Sequence, residues 1–128
     1  MRNTFKKDEK LKKKKLIEEL FSSGKAINAY PIKLIYLQIE HDSLFKIQAG
    51  VSVSKRNFKK AVDRNRIKRL LREVYRKNKH IIYESEHTKK HIFMFIYVGK
   101  KEEKYDLLEK KMQKVLHLFL KRVNNENL

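Results

Sequence analysis

Apolar residues along this chain switch between two periods, and the switches mark its elements. From about Asp8 to Ser23, Leu11, Leu16, Ile17, Leu20 and Phe21 recur at partial helical spacing, and Gly24 suits a helix stop. Residues 30–39 are β-branched and aromatic and read as a strand, with Pro31 at its start, where a missing amide is tolerated. After a turn at His41-Asp42-Ser43, Phe45, Ile47, Ala49, Val51 and Val53 alternate with Lys46, Gln48, Gly50, Ser52 and Ser54. That pattern predicts a half-buried strand, paired with the preceding one as an antiparallel hairpin. Gly50 leaves room for a neighbour to approach closely.

A helical stripe of Ile67, Leu70, Leu71 and Val74 follows, in a helix that starts between Asn57 and Asp63 and ends near Lys77. Residues 92–98 are apolar without alternation, as expected of a strand covered on both faces, and Gly99 ends it. From about Glu102 to Arg122, Leu108, Met112, Val115, Leu116 and Phe119 mark a last amphipathic helix that should pack on the sheet. The order α-β-β-α-β-α predicts an α+β fold, a two-layer α-β sandwich. One domain over residues 1–128 is expected, with residues 1–7 and 123–128 frayed.

Charge changes the picture most in the central helix. From Lys59 to Glu73 seven basic residues share a short element with the apolar stripe. On a wheel of about 100° per residue, Asn65, Lys68, Arg69, Arg72 and Arg76 fall opposite that stripe, and only Glu73 interrupts them. Crowded like charges cost stability, and a polyanion relieves the cost. The whole chain repeats the theme, with 33 Lys and Arg against 15 Asp and Glu and a formal charge of +18. Because 41% of residues are hydrophobic and are interleaved with the charge, this is a folded basic protein and not a polycationic tail.

Several classes fall away. No apolar run approaches the roughly 18–20 residues of a membrane-spanning helix, and no signal-peptide stretch opens the chain. Cysteine is absent, which rules out disulfides and thiolate zinc sites; a cytoplasmic location is expected. The four aspartates, Asp8, Asp42, Asp63 and Asp106, form no close acidic pair on a predicted strand, and Glu84/Glu86 and Glu102-Glu103 read as solvated charges. His87 and His91 have a zinc-compatible spacing but no third ligand nearby. No catalytic residue and no metal site is expected in the polypeptide. The Lys12–Lys15 run reads either as a solvated face or as a phosphate contact. Phe21 and Tyr36 are candidates for base stacking, against ordinary core packing.

The segment Gly50-Val51-Ser52-Val53-Ser54-Lys55-Arg56-Asn57, followed by Ala61-Val62-Asp63-Arg64-Asn65-Arg66-Ile67-Lys68-Arg69-Leu70-Leu71-Arg72-Glu73, resembles the protein subunit of bacterial ribonuclease P. Residues 5–25, closing on Phe21-Ser22-Ser23-Gly24, resemble that family's opening helix, and the likeness covers roughly residues 5–121. It implies the order α-β-β-(β)-α-β-α, with an extra short strand around Ala26–Ala29 and a left-handed crossover through the basic helix. It also implies that the catalyst is an RNA and that the protein assists it in removing the 5′ leader of precursor tRNA. By the same resemblance Lys55, Arg56, Arg64, Asn65, Arg66, Lys68, Arg69 and Arg72 bind the catalytic RNA. A cleft between the first helix and the sheet takes the leader, with Phe21 at its wall and Ile17 where many members have Phe. The family's first-strand aromatic is nearest to Tyr36, within one residue of register.

The implied partners are ribonuclease P RNA and precursor tRNA, with neither DNA nor membrane, and the implied cofactor is Mg²⁺ held mainly by the RNA. A ribosomal or RNA-chaperone protein would share the charge and fold class but has no need of this helix motif beside a cleft. An autonomous nuclease would need the acidic cluster that is missing.

Overall fold

Strand β4 (His91–Tyr97) organises the molecule, because both of its faces are apolar and both are covered. The structure, a computed structural model, describes residues 5–85 and 89–126. A 3-10 turn (Lys7–Glu9) precedes helix α1 (Lys14–Ser23), strands β1 (Lys25–Ala29), β2 (Ile32–Gln38) and β3 (Ile47–Val53), and helices α2 (Ala61–Asn78) and α3 (His80–Tyr83). Strand β4 and helix α4 (Tyr105–Glu126) complete the chain.

The sheet order is β1-β2-β4-β3; β2 pairs antiparallel with both β1 and β4, and β3 runs parallel to β4. Phe93, Phe95 and Tyr97 of β4 join Ile32, Leu34 and Tyr36 of β2 in the larger core, against Ile67, Leu71 and Val74 of α2 and Leu108, Met112, Val115, Leu116 and Phe119 of α4. On the other face Ile92 and Met94 meet Leu11, Leu16, Ile17 and Leu20. Phe119 is the hub of the larger core, with ring centroids 4.8 Å from Phe93, 5.0 Å from His91 and 5.1 Å from Tyr36.

The α+β class and the additional strand at residues 25–29 stand as expected. The hairpin between β2 and β3 does not form, because β4 inserts between them. The α2 crossover carries the chain from β3 to a strand parallel to it, and a doubly apolar strand is more stable at the centre of a sheet than at its edge. The first helix also begins six residues later than its apolar spacing predicts. Leu11 N–H instead donates to Ala49 O at 2.9 Å, so residues 10–11 run beside β3 as a short parallel bridge.

Packed side chains lie close to both limits of the described chain. Phe5 packs edge-on against Tyr75 at 5.6 Å, and α4 continues to Glu126 with Val123 buried. Gly24 is extended (φ −73°), so it does not end α1 in a left-handed turn. A Cβ there would lie 2.4 Å from Leu20 O and 2.7 Å from Ile35 Cγ2, so glycine is needed to let α1 close on β2.

One buried ion pair ties the N-terminal turn to the end of α2. Lys79 Nζ lies 2.6 Å from Glu9 Oε1, with both side chains almost wholly buried. The second Glu9 oxygen accepts from Lys6 N–H at 2.8 Å. Such a pair gains little over an apolar substitute, but loss of one partner leaves an uncompensated buried charge.

Candidate nucleic-acid interface

Helix α2 is amphipathic by charge as well as by hydropathy. Ile67, Leu71, Val74 and Tyr75 anchor it in the core, with Leu70 packed at the margin. Asn65, Arg69 and Arg72 are exposed at i, i+4 and i+7 and therefore line one outward row, with half-buried Lys68 beside it. Among the described residues, Lys68, Arg69 and Arg72 form no ion pair, so their charge faces solvent uncompensated.

The other basic residues of the motif have intramolecular work. The Arg64 guanidinium donates to Phe58 O at 2.8 Å and Lys59 O at 2.9 Å, closing the β3–α2 loop onto the helix start. Arg66 donates to Asp63 at 2.8 Å and to Glu102 at 2.9 Å. The Glu102 bond, followed by its charge, raises the Arg66 pKa above the ordinary guanidinium range. Glu73, the one acid in the basic arc, is taken up by Arg76, whose hydrogen bond holds its carboxyl below the usual range. Lys55 and Arg56 are exposed in the β3–α2 loop.

The α1 face of the sheet forms a cleft. Rows Ile35–Met94–Gly50 and Lys33–Ile96–Ser52 follow from the strand register. Helix α1 covers the first row, and the second is half-buried. A cavity of about 260 Å³ opens at the covered row, lined by Phe5, Lys10, Leu11, Ile17, Met94 and Arg72 among others. Gly50 forms part of its floor, where a Cβ would lie 3.1 Å from Met94 Cε. Ile17 of α1 and Arg72 of α2 thus line one cavity, which joins the cleft to the basic row. Phe21 stands at the C-terminal end of α1, 53% exposed.

Tyr36 is a correction. It is 3% exposed and its ring packs against Phe119 in the larger core, on the sheet face away from α1. It lines a separate cavity of about 180 Å³ beside Ser23 and Lys25. Strand parity explains this: Ile32, Leu34 and Tyr36 share one face, and Ile35 and Leu37 share the other, toward α1. That alternation was available in the sequence and identifies Ile35 and Leu37 as the β2 residues facing α1. Lys12, from the lysine run read as a solvated face or a phosphate contact, lines the cavity; Lys10 beside it carried no comparable signal, since the bridge of residues 10–11 to β3 is a long-range pairing.

Of the spaced histidines, His91 is buried among Tyr36, Phe93 and Phe119, and its Nδ1 lies 2.7 Å from Lys89 O. His87 lies outside the described residues. Among the described residues no three metal-ligating side chains converge, and no helix is long and apolar enough to cross a membrane.

The family model described as Ribonuclease P matches residues 5–120. A ribonuclease P protein component of Porphyromonas gingivalis is 37% identical over 113 residues, covering 86% of this chain and 82% of that protein. Its counterpart in Chlorobium phaeobacteroides is 32% identical over 127 residues, covering 90% and 87%. Among solved structures, the RNase P protein of Staphylococcus aureus aligns with a TM-score of 0.65 at 22% identity, over 87% of this chain and 94% of that one. The RNase P protein from Thermotoga maritima aligns with a TM-score of 0.67 at 21% identity, over 84% and 94%. At those identities the structural likeness speaks for the fold.

Proposed function

The chain belongs to the ribonuclease P protein family and is a protein subunit of ribonuclease P, and on that premise we propose how it works. It binds the enzyme's RNA subunit through the outward row of α2 and holds the 5′ leader of precursor tRNA in the cleft under α1. The RNA cuts the phosphodiester, and the protein assists from the cytoplasm of the cell. The observation that carries this reading is the outward row Asn65, Arg69 and Arg72, with Lys68 beside it and its three cations without ion-pair partners among the described residues, joined through Arg72 to a cavity on the cleft side.

The chemistry follows from charge. Guanidinium groups present planar paired donors that match phosphate oxygens. Asn65 adds a donor and an acceptor for a base edge or a 2′-hydroxyl. Neutralising phosphates where two RNAs meet lowers their mutual repulsion, so the reaction needs less Mg²⁺. In this reading the Mg²⁺ belongs to the RNA. Arg64, Arg66, Lys55 and Arg56 complete the RNA-binding set, with Arg64 also holding the loop that presents Lys55 and Arg56. Family membership favours this reading over a ribosomal or RNA-chaperone role.

The test is the salt dependence of binding to ribonuclease P RNA. Arg69→Ala is expected to weaken binding and to flatten the slope of log affinity against log salt by about one, the signature of one lost phosphate contact. An unchanged slope removes Arg69 from the interface.

A further inference from the structure

We infer that Tyr30 is a stacking platform for an unpaired RNA nucleotide, placed at the end of the sheet from which the basic helix springs. The inference rests on the RNA-binding reading above and extends it to the β1–β2 turn and the β4–α4 loop, both outside the motif.

The topology gathers three connections at one end of the sheet: the β1–β2 turn with Tyr30-Pro31, the β3–α2 loop over residues 54–60, and the β4–α4 loop over residues 98–104. The two loops carry Lys55, Arg56, Lys59, Lys60, Lys100, Lys101 and Lys104, all exposed. Against these stand only Glu102, already bonded to Arg66, and half-buried Glu103. Among them sits a tyrosine that is 62% exposed, beside a proline that is buried.

The turn and loops are interlocked. Val98 N–H donates to Pro31 O at 2.8 Å, and a Cβ on Gly99 would lie 2.9 Å from Pro31 Cβ. The Asn57 side-chain amide donates to Gly99 O at 3.4 Å, and the Tyr97 hydroxyl donates to Lys101 O at 2.6 Å while accepting from Glu103 N–H at 3.0 Å. The turn is therefore pinned to the loop that carries Lys100, and that loop to the one that carries Lys55 and Arg56. An exposed ring on a pinned turn, at the end of the sheet that carries these cations, loses little freedom when a base stacks on it. Side-chain cations that follow the phosphate backbone, with an aromatic face for the bases, are the arrangement that binds single-stranded RNA without sequence preference. The nucleotide comes either from ribonuclease P RNA or from precursor tRNA, and the chemistry is the same for both.

The test compares the full-length chain with its Tyr30→Ala, Tyr30→Phe and Lys100→Ala variants, with Arg69→Ala as control, after thermal melts confirm folding. One arm measures affinity for ribonuclease P RNA across a salt series; the other measures affinity of the assembled holoenzyme for precursor tRNA. Tyr30→Ala is expected to lose about tenfold in one arm, within the range of one stacked base. Its salt slope should stay unchanged, because stacking releases no counterions. Tyr30→Phe should keep wild-type affinity, and Lys100→Ala should flatten the slope by about one in the same arm. The arm that responds identifies the RNA. Full affinity of Tyr30→Ala in both arms, or equal losses for Ala and Phe, overturns the platform. If Arg69→Ala weakens binding in that event, the broader reading survives; if neither variant has an effect, both readings fall.

Discussion

Arg66 and Arg69 lie three residues apart on α2 and have different surroundings. Arg66 is held by Asp63 and Glu102, while Arg69 faces solvent without an ion-pair partner among the described residues. Glu102→Gln should therefore release Arg66, tighten binding to ribonuclease P RNA and steepen the salt slope; a slope equal to wild type means Arg66 stays out of contact with RNA. Phe21 is too exposed for a core role, and its loss should weaken precursor tRNA more than mature tRNA. Equal losses for the two RNAs, measured as paired affinities on the assembled holoenzyme, would remove Phe21 from the leader path. The sequence motif names both arginines alike. It cannot separate them, because Glu102 reaches Arg66 from 36 positions away. Tyr36 shows the opposite case: its facing follows from the β2 alternation alone.

The elements themselves were readable wherever a period was strong. Helix α2, the doubly apolar β4 and the stripe of α4 fall close to the positions their spacing predicts. Their pairing was not readable, since β3 alternates equally well beside β2 or beside β4, and only the α2 crossover decides between them. The late start of α1 has the same origin: residues 10–11 satisfy a long-range partner, Ala49, in preference to a helical one. Two substitutions test how the elements are joined. Lys79→Ala strands Glu9 in the interior and should cost about 3–5 kcal/mol in denaturant unfolding. A loss under about 1 kcal/mol would mean that water reaches the pair. Gly24→Ala puts a methyl group against Leu20 O and Ile35 and should cost about 1–3 kcal/mol by pushing α1 off the sheet. An unchanged melting temperature would show that the seam between α1 and β2 yields freely.

At the scale of the whole molecule, the sheet separates two tasks. Its larger core, on the α2 and α4 side, holds the basic helix rigid, and its other face carries the cleft under α1. Arg72 connects the two by lining the cavity beneath Ile17, so RNA bound on α2 and a strand lying in the cleft would meet at that side chain. A net charge of +18 gives such an assembly a steep salt dependence. That this chain assists a catalytic RNA can be tested directly. The direct measurement is cleavage of a precursor tRNA at low Mg²⁺ by the protein alone, by bacterial ribonuclease P RNA alone, and by the two together. Cutting at the mature 5′ end is expected in the mixture, with neither component active by itself under those conditions. Cleavage by the protein alone, or a mixture no faster than the RNA, would contradict it.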